Sequence, residues 1–207
     1  MSLKPAARIL RRNLGAENPV FAQVLGICST LAVTNLLTNT LVMCAGVTFT
    51  TALSCLTVSA MRAWIPARVR MMVQVLVIAG YVIVVDIFLK AVAPDVSRQL
   101  GPYVGLIITN CIVMGRTEAF ALSNPPLLSF VDGASAGLGY SYVLCLIAVV
   151  RELLGAGSVA GVRVLGAWWT NWSIMVMAPG GFFVLALLIW VIKARFLPQP
   201  GGKGAKP

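Results

Sequence analysis

The stretch V-R-M-M-V-Q-V-L-V-I-A-G-Y-V-I-V-V-D-I-F-L-K-A-V, from Val69 to Val92, sets the class of this protein. Its long middle part, from Met71 to Val85, carries no charged residue. A helix needs roughly 20 mostly apolar residues to cross the hydrocarbon core of a bilayer, and this stretch meets that length. It is therefore predicted to be a transmembrane helix.

The rest of the chain has the same character. Of its 207 residues, 59% are hydrophobic and only 11% are charged, and the mean hydropathy is +0.92. About a quarter of the residues of a soluble domain are charged. The composition predicts an all-α, polytopic membrane protein that resides in the lipid bilayer. The net charge of +10 comes from basic residues that flank apolar runs, so no nucleic-acid binding is expected.

Six transmembrane helices are predicted from the apolar runs. Before them, residues 1–18 are basic and polar and are predicted to be a retained cytoplasmic segment. After them, residues 198–207 are rich in Pro, Gly and Lys and are predicted to be a disordered tail. The predicted helices run from about Pro19 to Leu37, Thr40 to Met61, Val69 to Val92, Pro102 to Gly115, Ala134 to Leu154 and Ile174 to Phe196.

The distribution of Lys and Arg predicts the orientation. With a cytoplasmic N-terminus and six crossings, twelve of the 16 basic residues fall on the cytoplasmic side. Cytoplasmic loops of membrane proteins carry such an excess of positive charge. The protein is therefore expected in the bacterial inner membrane with both termini in the cytoplasm. The basic residues that fall outside are Lys90, Arg98, Arg151 and Arg163.

An internal repeat divides the chain into two halves. Pro19 lies nine residues before Cys28, and Pro102 lies nine residues before Cys111, so both pairs are offset by 83. Three predicted helices precede Gly101 and three follow it. An odd number of crossings in each half places the halves in opposite orientations. The sequence thus predicts two inverted three-helix repeats, at residues 19–97 and 98–197.

The first helix of each repeat is a weak membrane span. Segment one is interrupted by polar and small residues, and segment four loses its apolar character at Gly115 and Arg116. Both are predicted to be half-helices. Broken helices at matching positions in two repeats indicate a site near the bilayer midplane. This arrangement selects Cys28 and Cys111 from the five cysteines as the candidate site residues; the other three are Cys44, Cys55 and Cys145.

Two interpretations of this cysteine pair follow from the residues alone. Two thiolates suit a soft metal, but a two-iron, two-sulfur cluster normally takes four Cys. The chain has no His, so a partner subunit or other Cys of the chain must complete such a site. In the other interpretation, Cys28 and Cys111 are small apolar residues in closely packed helices, as buried free Cys commonly are.

Two motifs around these cysteines identify a family. The segment from Gly105 to Ala121, G-L-I-I-T-N-C-I-V-M-G-R-T-E-A-F-A, closely resembles the signature of the Nqr/Rnf membrane subunits. The segment from Val24 to Thr34, V-L-G-I-C-S-T-L-A-V-T, is similar to the first-helix motif of the same family. The similarity covers nearly the whole chain. Further matching segments are 84–86, 129–133, 137–139, 150–153 and 188–190.

The resemblance implies a role in a sodium-pumping NADH:ubiquinone oxidoreductase of about six subunits. It implies direct pairing with a paralogous membrane subunit of that complex and a 2Fe-2S cluster shared with it. Cys28 and Cys111 are the positions that match the family's cluster ligands. The resemblance further implies that the cluster relays electrons across the membrane and that this relay is coupled to outward Na⁺ transport. NADH, FAD, FMN, riboflavin and ubiquinone are expected only on other subunits, so this chain alone holds no complete active site.

Two other functions remain open at this point. One is the Rnf counterpart, a ferredoxin:NAD oxidoreductase subunit. The other is a structural or transport subunit of the membrane whose two Cys hold no metal.

The sequence also predicts the positions or pairing of several charged and aromatic residues. Asp86 is expected to form a helical ion pair with Lys90, four residues away, rather than to line a sodium path. The dipeptide Arg151-Glu152 is expected at the membrane interface. Arg116 and Glu118 are expected to cap a half-helix or contact a neighbouring subunit, since residues two apart on a helix do not face each other. Four Trp near span ends, Trp64, Trp168, Trp169 and Trp172, fit an aromatic belt.

Overall fold

A computed structural model of the chain describes residues 25–66, 68–159, 162–163 and 177–196, with the single positions Ile9, Asn13 and Val20. Its elements are helical apart from one short antiparallel hairpin, which confirms the all-α class for the described part of the chain. In chain order they are α1 (Ile27–Val33), α2 (Leu37–Met61), α3 (Arg70–Val92), α4 (Pro94–Ile108), α5 (Cys111–Arg116), a π-helical segment (Thr117–Ala121), α6 (Pro126–Ala156), β1 (Ser158–Val159), β2 (Val162–Arg163) and α7 (Ala178–Phe196).

Four helical stretches in the described residues are long and apolar enough to cross a membrane. They are Leu37–Met61, Arg70–Val92, Gly101–Ala121 and Pro126–Gly155. The apolar stretch Pro179–Ile192 in α7 is shorter. This architecture agrees with the predicted polytopic membrane protein. Most of the predicted N-terminal segment, the start of the first predicted helix and the predicted tail lie outside the described residues.

Two of the predicted helix starts are wrong. The fourth segment begins at Pro94 instead of near Pro102, with a proline in its first turn, where a missing N–H costs nothing. The fifth begins at Pro126 instead of Ala134. Its first turns contain Ser129 and Asp132, which look like loop residues in the sequence but are both fully buried.

The fourth predicted segment is interrupted, as expected. α4 ends at Ile108, and α5 starts at Cys111. This interruption lies directly before the cysteine, whereas the sequence suggested a break at Gly115, which is inside α5. In the described part of the first predicted segment, Leu25 and Gly26 are not helical, α1 runs from Ile27 to Val33, and a three-residue turn then leads to α2.

Helices α2 and α6 pair tightly and run antiparallel. A Cβ added to Gly133 would lie 2.8 Å from the carbonyl oxygen of Thr51, and one added to Gly137 would lie 2.7 Å from Cα of Thr48. The later glycine of α6, Gly137, contacts the earlier residue of α2, Thr48, whereas Gly133 contacts Thr51. The two helices therefore run antiparallel. Small residues four apart let membrane helices approach this closely. An inverted repeat requires this relation between its two second helices; the repeat boundaries themselves stay a prediction.

The close approach at Gly137 leads to a stability prediction. Gly137→Ala is expected to lower the free energy of unfolding by about 1–3 kcal/mol, because the added methyl group meets the α2 backbone. Gly80 in α3 has no atom within 4 Å of an added Cβ, so Gly80→Ala is the matched control. This control is expected to raise stability by about 0.5–1 kcal/mol through helix propensity. Thermal unfolding in detergent measures both, and equal effects of the two substitutions would contradict the packing argument.

Candidate functional site

The two candidate cysteines both lie at helix starts. Cys28 is the second residue of α1, and Cys111 is the first residue of α5. Both side chains are exposed in the single chain, whereas Cys44 and Cys55 are buried. A small apolar residue used only for packing would be buried like the latter two. The exposure of Cys28 and Cys111 therefore favours a role at a surface that another group covers.

A hydrogen bond joins the neighbours of the two cysteines. Nδ2 of Asn110, directly before Cys111, donates to Oγ of Ser29, directly after Cys28, over 3.1 Å. Oδ1 of Asn110 also accepts from the backbone N–H of Ile112 over 3.1 Å and so caps α5. The structure thus brings together two helix starts that are far apart in sequence.

The turn between α1 and α2 is closed by two buried charged residues of α6. The Arg151 guanidinium donates to the carbonyl oxygen of Leu31 over 3.1 Å and to Oγ1 of Thr34 over 2.6 Å, at the C-terminal end of α1. The Glu152 carboxylate accepts from the N–H of Leu37, the first residue of α2, over 2.9 Å. These contacts give hydrogen-bonding partners to the backbone groups at the turn, and lipid could not supply such partners.

The expected position of Arg151 and Glu152 at the membrane interface stays a prediction, but within the chain both side chains are buried instead of exposed. Each residue is only 2% exposed. The dipeptide pattern suggests an interface because charged residues near a span end usually reach water. Here the free backbone groups of a broken helix supply the hydrogen-bonding partners instead of water.

The turn between the π-helical segment and α6 is closed by residues from the end of α2. The carbonyl oxygen of Asn124, in the turn before α6, accepts from Oγ of Ser59 over 2.6 Å and from the Arg62 guanidinium over 3.2 Å. The end of α6 thus supports the turn after α1, and the end of α2 supports the turn after the π-helical segment. Because α2 and α6 are antiparallel, the two turns lie at opposite ends of the pair.

A buried ion pair lies next to α5. Arg116 Nε donates to Oδ2 of Asp132 over 2.9 Å, and a second hydrogen bond joins Arg116 Nη2 to the same carboxylate. Asp132 also accepts from Nδ2 of Asn13 over 2.9 Å, and that amide donates to Oγ of Ser135 over 2.7 Å. Asn13 is fully buried, so at this position the predicted cytoplasmic segment packs against α6.

Glu118 has different partners from Arg116, as their spacing predicted. Its carboxylate pairs with the Arg70 guanidinium at 2.5 Å and accepts from Nε2 of Gln74 over 2.8 Å. Both partners lie in the first turns of α3. The π-helical segment after α5 is thereby tied to α3, so contacts within the chain account for both charged residues of the motif.

Asp86 and Lys90 form the predicted helical ion pair. Lys90 Nζ lies 2.6 Å from Oδ2 of Asp86, with the two residues four apart near the C-terminal end of α3. The expected pairing is confirmed. Of the tryptophans considered for an aromatic belt, Trp64 is exposed, and Trp168, Trp169 and Trp172 lie outside the described residues.

The described residues contain no group of three or more His, Cys, Asp or Glu side chains that could hold a metal ion. The sequence selects Cys28 and Cys111 as candidates but does not point to Ser29 and Asn110 beside them. The only local signal was the favourable N-cap residue directly before Cys111.

Comparison with known proteins gives consistent matches over nearly the full length. The family model described as "Rnf-Nqr subunit, membrane protein" matches residues 6–189. The D-type subunit of the Na(+)-translocating NADH-quinone reductase of Yersinia enterocolitica (serotype O:8 / biotype 1B) is 48% identical over 195 residues, 92% of this chain and 93% of that protein. The same D-type subunit of Psychromonas ingrahamii is 47% identical over 190 residues, which are 89% and 90% of the two chains.

Proposed function

Because the chain belongs to the Rnf-Nqr family of membrane subunits, we propose that it acts as the D-type subunit of a Na⁺-translocating NADH:quinone reductase. In this role it binds half of an intramembrane 2Fe-2S cluster through Cys28 and Cys111. One observation carries the proposal: the two exposed thiols lie directly beside Ser29 and Asn110, whose hydrogen bond joins two helix starts. The reductase function is preferred to the Rnf counterpart because both relatives described above are NADH-quinone reductase subunits.

The residues present fit half of the cluster. A 2Fe-2S cluster normally takes four thiolates, and the described part of this chain offers two exposed ones on adjacent helix starts. A partner must supply the other two, and the paralogous E-type subunit of the complex is the proposed source. Exposure of Cys28 and Cys111 in the single chain is what a site shared between two subunits requires.

The cluster, when bound, supplies one-electron transfer between carriers on the two sides of the membrane. Within this chain, α1 carries Cys28 and α5 carries Cys111. The buried side chains of Arg151 and Glu152 in α6 form hydrogen bonds with the turn that follows α1. Apolar residues on these helices, such as Ile112 and Val113, are fully buried and keep water from the inner side of the helix starts. NADH, flavins and ubiquinone are proposed to bind to other subunits of the complex of about six.

Iron and acid-labile sulfide analysis of the purified complex tests the ligand assignment. Cys28→Ala and Cys111→Ala are each expected to remove most of the cluster iron that this chain and its paralogous partner share. Cys145→Ala is the matched control, because this partly exposed thiol lies on α6 and belongs to neither helix start. Full iron content in both Cys28→Ala and Cys111→Ala would refute the assignment.

We propose that Asp86 takes no part in sodium transport. Asp86→Asn is expected to leave the rate of sodium transport by the complex unchanged, because the carboxylate already pairs with Lys90. Sodium uptake into inverted membrane vesicles measures this rate, with the unmodified complex as reference. Loss of sodium uptake with intact quinone reduction would instead assign Asp86 to the cation path.

The proposed location is the bacterial inner membrane, with both termini in the cytoplasm. The supporting observation is the excess of Lys and Arg on that side in the six-span arrangement. Reporter fusions to the C-terminus check the orientation, and the cytoplasmic reporter alone is expected to be active.

A further inference from the structure

The proposed cluster ligands do not account for a chain of buried hydrogen bonds directly behind them. Nδ2 of Asn110 donates to Oγ of Ser29, which shares a hydrogen bond with the Tyr140 hydroxyl of α6. Tyr140 also donates to the carbonyl oxygen of Gly26 over 3.3 Å. All three side chains are buried, with Asn110 4% and Tyr140 0% exposed. One connected set of polar groups therefore joins α1, α5 and α6.

Asn110 uses both ends of its amide. Its oxygen caps the first turn of α5 through Ile112 N–H, and its nitrogen reaches α1 through Ser29. The α1 start has no matching cap, because its N-cap residue is Gly26, which makes no side-chain hydrogen bond. The side-chain hydrogen bond between the two starts therefore depends on Asn110.

The packing around Gly26 leaves little freedom at this junction. Gly26 has a positive φ of 84°, a region that favours glycine. A Cβ at this position would lie 2.6 Å from the Tyr140 ring and 3.2 Å from the Ile112 side chain. The backbone before Cys28 thus lies directly against α6 and α5. A polar link in such a packed junction fixes the direction and spacing of the groups that it joins.

We propose that Asn110 is a positioning residue: through Ser29 and Tyr140 it holds the helix starts in one arrangement, so that Cys28 and Cys111 keep one separation. Its purpose rests on the proposed shared cluster, because a metal site needs ligands within a narrow range of geometry. The arrangement itself belongs to this chain and can be measured without metal.

The test measures the separation of the two thiols in the full-length, metal-free chain. Cys145 is first replaced by Ala, so that Cys28 and Cys111 are the exposed thiols among the five cysteines. A series of bifunctional maleimides of increasing span then bridges the pair. The parent is expected to react best with one span. In Asn110→Ser and in Ser29→Ala, the yield at that span is expected to fall several-fold and to spread over other spans.

The choice of variants separates positioning from folding. Serine is a good N-cap residue, so Asn110→Ser keeps a cap on α5 and loses the reach to α1. The buried Cys44 and Cys55 stay in place, and their lack of reaction with maleimide shows that each variant is folded. Tyr140→Phe removes the hydroxyl that pairs with Ser29 and is expected to spread the yield over other spans in the same way. Tyr142→Phe, which changes an exposed tyrosine on the same helix, is its control and is expected to keep the parent profile.

A double variant makes the test decisive. If Asn110 acts through Ser29, the double variant Asn110→Ser/Ser29→Ala is expected to broaden the profile no more than the stronger single one. An unchanged profile in folded Asn110→Ser would overturn the proposal. Loss of iron binding has no bearing on this measurement, so a wrong cluster assignment and a wrong positioning role give different results.

Discussion

Asp132→Ala is expected to lower the free energy of unfolding by about 3–5 kcal/mol, the cost of leaving a buried charge unpaired. The Asp132 side chain is fully buried, and that of its partner Arg116 is 10% exposed. Without the carboxylate, the partners that remain to the guanidinium among the described residues are the Asn13 oxygen at 3.4 Å and the face of the Phe120 ring, 5.8 Å from its centroid. Neither neutralises its charge.

Thermal unfolding in detergent, followed by the reaction of buried thiols with a fluorogenic maleimide, measures this loss. Cys55 is 1% exposed and reports on unfolding close to α6. Removing both charges in Arg116→Leu/Asp132→Leu is expected to recover much of the lost stability, because no unpaired charge remains. A double variant no more stable than Asp132→Ala would show that the packing of the aspartate matters more than its charge.

Arg151→Ala is expected to cost about 2–5 kcal/mol, since each buried acceptor left without a donor costs about 1–3 kcal/mol. The acceptors are the carbonyl oxygen of Leu31 and Oγ1 of Thr34, with the carbonyl oxygen of Met177 at 3.3 Å as a third. In the membrane no water replaces the lost donor. The effect should concentrate on α1, and cluster iron should fall with it if Cys28 is a ligand.

Arg62→Ala is the matched control for Arg151→Ala. Arg62 occupies the corresponding role at the other end of the helix pair, but it is exposed, and Ser59 donates to the same carbonyl oxygen. Its loss is expected to cost less than about 1 kcal/mol, because the acceptor keeps the Ser59 hydroxyl as a donor, with the Ser129 hydroxyl at 3.5 Å as a second. Thermal unfolding of both variants, with the same thiol reagent, compares them. Equal losses of stability in the two variants would contradict the argument that Arg151 contributes more than Arg62 because it is buried.

The sequence predicts best where the fold depends only on apolar length. The α3 helix starts within one residue of its expected position, because an uninterrupted apolar run needs no partner to be recognised. The start of α6 is missed for the opposite reason. Asp132 looks like a loop residue until its partners are known, and these are Arg116, 16 residues away, and Asn13, 119 residues away.

The candidate site, too, is predictable from the sequence only where it does not depend on contacts between distant residues. Equal spacing from Pro to Cys in two segments is enough to select Cys28 and Cys111, because a repeat is visible in one chain. The break directly before Cys111 is predicted too late in the sequence, since apolar residues lie on both sides of Asn110. The contribution of Tyr140 has no sequence signal, because it depends on the packing of α6 against the α1 start.

The support that α6 gives to the turn after α1 has a consequence for biosynthesis. The hydrogen bonds from Arg151 and to Glu152 connect residues 115 to 120 positions apart. While the ribosome is still making the middle of the chain, the end of α1 and the start of α2 have no such partners. The early part of the protein must therefore stay close to the insertion machinery, or to water, until α6 enters the bilayer. Maturation of the first half thus waits for the second half to be translated.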